Sequence, residues 1–423
     1  MNKIPFLDFD QFQEIIHTLS KNKLRSFLTM FGVGWGIFML VVMIGAGNGL
    51  ENGVLSGVEG IPTNSCFMFT NRTTLPYKGF QRGRYWELKK SDVSVIRQNV
   101  PEVDLVEPVL FGGGGTDNTI YKDKAGTFRT KGIAENYFKI DPVKTIEGRL
   151  INKIDIAENR KVCLIGEKVF NDLFSNTPNS IGDYIRVDGI YFQVIGIIKA
   201  TTQINMGSST DETIFIPIST MQQAYSKGDE VHMIAVTAEP NKSITKVQDK
   251  ITKLIKEQHM INPDDKSALW VLNIEEQFKQ MSMLFMGISV LIWIVGMGSL
   301  AAGVIGVSNI MVVTVQERTK EIGIRRALGA KPAEIILQIV QETVILTLVA
   351  GLFGMTIGIG VLDIAGKILQ ANQSGNIFLK DPQITFNVAV LAMIVLVICG
   401  ILAGLVPASR AMKIKAIDAI REE

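Results

Sequence analysis

Cysteine and histidine are scarce in this chain, three of each in 423 residues. His17, His232 and His259 stand apart, with no HExxH pattern and no Cys/His cluster, so a metal centre has no ligand set to build on. Cys66 and Cys163 fall in a stretch where an oxidising compartment would permit a disulfide, and the unpaired reading is preferred; Cys399 lies inside an apolar run. The phosphate-loop pattern GxxxxGK[ST] is missing. Its nearest approach, from Gly360 to Lys367, has one residue too many and is followed by isoleucine. The glycine run at 112–115 follows a strand-like segment but opens no helix, which excludes a phosphate cradle and leaves a flexible external loop. No GxSxG nucleophile motif occurs in a suitable context. A formal charge of +2 argues neither for nor against nucleic acid, and the build of the chain gives no expectation of a nucleic-acid surface.

The absence that organises the chain is one of charge. Residues 26–50, 280–316, 343–362 and 382–409 contain no Asp, Glu, Lys or Arg. A bilayer span needs roughly 20 largely apolar residues, so each run predicts one transmembrane helix, the second with an external extension. The first is too long for a signal-peptide core and reads as a retained anchor. Basic residues cluster in the N-terminal segment, the loop between the second and third runs and the C-terminal tail, thirteen in all, against Lys367 and Lys380 in the loop between the third and fourth. The positive-inside rule then puts both termini in the cytoplasm and residues 51–279 outside, because long segments translocate largely regardless of charge. Ion-coupled carriers bury Asp, Glu or His along their path; these runs hold none, with Glu342 the one acid near an inner end. Small residues are plentiful instead, and Gly32, Gly34 and Gly36 in the first run, with Gly354 and Gly358 in the third, suit close helix contact; Gly32, Gly36, Gly354 and Gly358 are the packing candidates. Phe6, Phe9, Phe12, Ile15, Ile16 and Leu19 recur at helical spacing and predict an amphipathic helix on the cytoplasmic face.

Residues 51–279 alternate between strand and helix patterns. A strand-like CFMFT, a helical 90–99 and a strand-like 103–110 form one β-α-β unit. Strand-like 231–237, helical 243–258 and strand-like 268–272 form another, a pattern suited to one split α+β layer. Between them lie short strands, two joined by Asp188-Gly189, a strong hairpin signal.

Residues 316–331, QERTKEIGIRRALGAK, form a charged, helix-like linker between two spans. Glu321 and Arg325 are an i,i+4 pair, as are Ile324 and Leu328. Gly329 is placed to end a helix and Pro332 to start the next. Pattern alone supports docking into a partner's groove and contact with anionic lipid equally.

Several motifs carry a family resemblance: NKLRSFLTM at 22–30; VCLIGE at 162–167 with LF at 173–174, IG at 181–182 and FQVIG at 192–196; ERTKEIGIRRALGA at 317–330; and PASRA at 407–411 followed by IDAIR at 417–421. Over nearly its whole length the chain resembles the MacB/FtsX-type ABC transporter permeases, in the MacB-like branch. It departs from their usual pattern at Ala416, where proline is common. The fold expected is membrane α-helical, four transmembrane helices with a large extracytoplasmic α+β domain. The expected order is an amphipathic N-terminal helix (1–25), span one (26–50), the extracytoplasmic domain (51–279), span two (280–315), a cytoplasmic coupling helix (316–334), span three (335–362), a short external loop (363–385), span four (386–408) and a cytoplasmic tail (409–423). Within the domain, α+β parts at about 60–110 and 228–275 enclose a β-rich insert at about 111–227.

The resemblance also implies function. It favours the ATPase-docking reading of the linker, with Glu317, Arg318, Glu321, Ile322, Gly323, Arg325, Arg326, Leu328 and Gly329 as contact residues. It implies no cofactor or catalytic residue in this chain, ATP and Mg being bound by a separate ABC ATPase subunit in two copies. Further implied partners are a second permease copy or a paralogue, a periplasmic adaptor and an outer-membrane channel, and membrane lipids, with the bacterial inner membrane as location. Mechanotransmission for efflux is the preferred function; release of lipoproteins and regulation of a cell-envelope hydrolase share the architecture.

Overall fold

The computed structural model describes residues 23–57, 60–112, 117–174, 180–202, 207–371 and 380–412. The N-terminal amphipathic pattern, most of the glycine run at 112–115 and the IDAIR motif lie outside the described residues. The chain divides into two compact units, Leu55–Met283 and Met1–Val54 with Leu284–Glu423.

In chain order the elements are α1 (Lys23–Ser56), β1 (Ser65–Thr70), β2 (Leu88–Lys89), α2 (Lys90–Asn99), β3 (Val103–Phe111), β4 (Asn118–Tyr121), β5 (Lys124–Thr127), β6 (Arg129–Ile133), α3 (Tyr137–Ile140), β7 (Val143–Gly148), α4 (Lys153–Ala157), β8 (Val162–Gly166), α5 (Glu167–Phe174), β9 (Tyr184–Val187) and β10 (Ile190–Ala200). They continue with β11 (Thr213–Pro217), α6 (Ile218–Ala224), β12 (Glu230–Val231), β13 (Met233–Ala238), α7 (Ile244–Gln258), β14 (Leu269–Asn273), α8 (Ile274–Glu317), α9 (Thr319–Ala327), α10 (Pro332–Ala371) and α11 (Phe386–Ala411).

The first unit is built on one sheet, ordered β14-β1-β13-β3-β6-β11-β8-β10-β9-β4-β5, with β7 paired to β10. The strands β14, β1, β13 and β3 each run antiparallel to their neighbours and, with α2 and α7, make the split β-α-β layer. On α7, Ile244, Val247, Ile251 and Ile255 recur at helical spacing and are buried against Cys66, Met68, Ile234 and Val236. Every residue of β13 and of β8 is buried, the run expected of strands covered on both faces. Asp188 and Gly189, at φ +44° and +89°, make the primed turn that joins β9 to β10.

The α+β part and the insert share this sheet. β3 is long enough to pair with β13 on one edge and with β6 on the other, where Val109 stands opposite Ile133. The insert also holds four short helices, α3 to α6. Cys66 and Cys163 are buried free thiols in different apolar clusters, and burial pushes the Cys66 thiol up to about 12.

Lys131 is buried on β6, its Nζ donating to the Ser208 carbonyl at 3.2 Å above the Phe111 and Phe215 rings. Buried Asp141 accepts from the Tyr137 hydroxyl at 3.0 Å. Burial pulls the Lys131 ammonium down from 10.5 to about 8, and the charge of Asp141 opposes that pull. A lysine whose folded value lies below its unfolded one binds fewer protons when folded throughout that window, so stability rises with pH there. The rise from pH 8 to 10.5 is expected to be on the order of 3 kcal/mol. Hydrogen exchange of β6 in the full chain, followed across that range, should show increasing protection, and Lys131→Met should flatten the climb.

Among the described residues, four helices are long and apolar enough to cross a membrane. They extend past the charge-free runs. α1 covers Lys23–Ser56 rather than 26–50, and α8 starts at Ile274 rather than 280. α10 begins at Pro332 and passes residue 362 to Ala371, with Asp363 and Lys367 forming an i,i+4 ion pair at 2.6 Å on that extension. α11 ends at Ala411, so the tail motif PASRA is helical.

Glycines set the helix contacts. A Cβ at Gly303 would come 3.1 Å from the Gly32 carbonyl oxygen, and one at Gly36 would come 3.3 Å from that of Ser299, so these positions bring α1 against α8. A Cβ at Gly34 would lie 3.0 Å from the Ala350 carbonyl oxygen, one at Gly354 would overlap the Gly34 carbonyl, and one at Gly358 would lie 2.8 Å from Val41, so α1 also meets α10. The four candidate packing glycines therefore all lie at contacts within this chain. Gly34, Gly303 and Gly404 do the same, the last with its would-be Cβ 3.0 Å from Val340 on α10. Between α10 and α11, buried Thr343 returns its hydroxyl to the Ile339 carbonyl at 2.8 Å, which satisfies it without a partner helix.

Candidate functional site: the short helix between α8 and α10

α8 stops because Arg318, at φ −100° and ψ 15°, leaves helical geometry and becomes the residue before α9. The far end is a Schellman closure. Gly329 takes φ +97°, its N–H donates to the Arg326 carbonyl at 3.1 Å, and the Ala330 N–H donates to the Arg325 carbonyl at 3.1 Å. Pro332 then opens α10, and the Lys331 N–H donates to the Glu334 carboxylate at 3.1 Å. The expected coupling segment at 316–334 thus contracts to Thr319–Ala327, a short helix fixed at both ends.

Three arginines tie α9 to its own unit. Arg318 reaches Glu342 on α10 at 3.2 Å and Glu321 at 3.8 Å. Arg325 pairs with Glu321 at 2.8 Å and donates to the Gln338 side-chain oxygen at 2.9 Å. Arg326 donates to the Met412 carbonyl at 3.2 Å, just past α11, a favourable place for a cation at a helix C-terminus. Glu342 is thereby a counter-charge of Arg318. Ile322, packed in the apolar cluster of this unit, and Gly323 are buried.

The opposite side is open. Glu317, Lys320, Ile324, Ala327, Leu328 and Gly329 are exposed, Ile324 by 47% and Leu328 by 83%. Helical spacing places Ile324 and Leu328 one turn apart and Ile322 about 200° away from Ile324. Of the nine predicted contact residues, Glu317, Leu328 and Gly329 face outward; Arg318, Glu321, Arg325 and Arg326 are half-buried in the ionic network; Ile322 and Gly323 face inward. Lys320 belongs to the open face and was not among the nine, nor was Ile324, although its pairing with Leu328 was legible.

Truncating Glu342 removes the nearer of the two carboxylates that face the half-buried Arg318. Glu342→Ala is expected to loosen α9 by about 1–3 kcal/mol, read as faster hydrogen exchange over Thr319–Ala327. Replacing both Arg318 and Glu342 with methionine should restore most of that protection.

Comparison with known proteins gives a consistent assignment. Residues 26–254 match the family model of the MacB-like periplasmic core domain, and residues 293–416 match the FtsX-like permease C-terminal model. The chain is 26% identical over 407 residues to the macrolide export ATP-binding/permease protein MacB of Bdellovibrio bacteriovorus, covering 96% of this chain and 60% of that protein. It is 27% identical over 404 residues to the pyoverdine export ATP-binding/permease protein PvdT of Pseudomonas entomophila, covering 95% and 58%. The chain thus spans about 60% of the length of these relatives. The crystal structure of the periplasmic region of MacB from Actinobacillus actinomycetemcomitans covers 54% of this chain and 97% of its own, at 22% identity and a TM-score of 0.43. With four apolar helices and a periplasmic-type domain, the chain is a membrane protein with an extracellular domain. It belongs to the MacB/FtsX-type ABC transporter permeases.

Proposed function

We propose that the chain is the permease subunit of an efflux-type ABC transporter, working by mechanotransmission. A separate ABC ATPase, in two copies, grips the open face of α9. ATP-driven closure of that ATPase displaces α9, and the displacement reaches the extracytoplasmic domain through the spans. A second permease copy or a paralogue completes the pair, the termini lie in the cytoplasm of a bacterial inner membrane, and an adaptor and outer-membrane channel carry the substrate onward.

The observation that carries this reading is the exposed Ile324 and Leu328 surface on a helix clamped at both ends. Such a helix cannot absorb a push by bending its own ends, so it hands the push to α8 and α10. Support comes also from the family of this chain and from relatives named as ATP-binding/permease proteins. ATP and its Mg ion would be held by the ATPase; this chain supplies only the surface.

Co-purification from native membranes tests it. The full chain should bring down an ABC ATPase subunit in equal number. ATP hydrolysis by the chain alone, with other ATPases removed, would contradict the reading.

A further inference from the structure

Residues 71–87, NRTTLPYKGFQRGRYWE, carry four cations, Arg72, Lys78, Arg82 and Arg84, against one acid, Glu87. They leave β1 and return to β2 as an ordered, solvent-facing hairpin. Its tip is a primed turn: Lys78 and Gly79 take φ +46° and +86°, and Tyr77 and Phe80 exchange both backbone hydrogen bonds at 2.9 and 3.1 Å.

The base is pinned from inside the domain. The Asp265 carboxylate accepts from the Thr74 N–H at 2.6 Å, the Thr74 hydroxyl at 2.8 Å and the Leu75 N–H at 3.0 Å. Burial pushes Asp265 up, but these donors outweigh it and hold the carboxyl below its ordinary range. Buried Trp86 donates its Nε1–H to the Asn71 carbonyl at 2.8 Å.

Two stacks stand on this base. The Arg72 guanidinium lies 4.0 Å over the Tyr85 ring, and that of Arg84 lies 4.0 Å over Phe80. Arg84 spends donors on the His259 and Met260 carbonyls. Arg72, Lys78 and Arg82 form no ion pair among the described residues. Tyr85 is 72% exposed, and Leu75 and Phe80 are exposed beside it.

We infer that this hairpin is a docking surface for an acidic, extended segment of an extracytoplasmic partner protein. The Arg72 guanidinium, already held flat on the Tyr85 ring, loses little freedom on binding and offers in-plane N–H pairs that match a carboxylate. Arginine and tyrosine in this arrangement are the side chains that dominate protein interfaces. A lipid headgroup or free phosphate would call for donors converging on one point. Here the cations and the apolar contacts of Leu75, Phe80 and Tyr85 are strung along the hairpin, which suits a chain.

The test places a photoreactive amino acid at exposed Gln81 in the full chain, in native membranes, and sequences the cross-linked peptide. The expected product is one extracytoplasmic protein, joined through an Asp/Glu-rich segment. Its yield should fall at least about tenfold in the Arg72→Glu/Arg82→Glu variant and recover when acids of that segment are changed to lysine. No protein adduct, an adduct only to lipid or glycan, or a yield indifferent to charge reversal would overturn the inference. Association with the ATPase, read in the same membranes, should be unchanged in the variant, which separates failure here from failure of the coupling reading.

Discussion

Aspartate at both Ile324 and Leu328 is expected to lower ATP turnover of the reconstituted transporter at least about tenfold, because the proposed ATPase contact would lose both apolar side chains and take in two charges. The effect should be confined to coupling. Both side chains are exposed, by 47% and 83%, and neither supports the fold of its own unit; surface replacements of that kind usually shift stability by no more than about 0.5 kcal/mol. Ile322→Asp is the contrast. That side chain is buried among Val315, Ile335 and Ile339, so a charge there should destabilise the unit and lower the amount of chain recovered from membranes. Turnover, recovery and hydrogen exchange over α9, measured on the three proteins, separate a lost contact from a lost fold.

Gly354→Val should produce the largest loss of stability. A side chain there overlaps the Gly34 carbonyl, and a Cβ at Gly34 would in turn lie 3.0 Å from the Ala350 oxygen. The obstacles are backbone atoms, which cannot rotate aside, so α1 and α10 must separate and lose the packing that substitutes for a hydrophobic driving force in lipid. Overpacking of this kind costs about 1–3 kcal/mol, and more where the backbone must move. Gly360→Val on the same helix is the control, since a Cβ there meets nothing within 4 Å. Unfolding in a denaturing-detergent titration should show a clear drop for Gly354→Val and near-identity with the parent for Gly360→Val.

Much of the architecture was legible before any coordinates. Absence of charge marked four spans, because an unpaired charge in hydrocarbon is expensive. The residues ending α9 were also readable: a glycine tolerates the left-handed turn and a proline can open a helix. What was not legible depended on distant neighbours. The Val109–Ile133 pairing that joins the insert to the α+β sheet follows from which edge β3 leaves open, and no local pattern states that. Ile322 and Ile324 look alike in sequence, yet only the positions of Ile335 and Ile339 on α10 decide that Ile322 turns inward. Gly34 is similar. It sits between Gly32 and Gly36, but two residues along a helix is about 200°, so it meets α10 while they meet α8. The basic hairpin at 71–87 has no local signature because its order comes from Asp265 and Ala268, nearly two hundred residues later.

The most direct measurement compares cross-linking from two positions on α9. A photoreactive side chain is introduced at Leu328 in one protein and at Ile322 in another, and each is irradiated in native membranes. The coupling account predicts an adduct to an ABC ATPase subunit from position 328 and none from position 322. An ATPase adduct from 322 with none from 328, or no ATPase adduct from either position, would contradict it.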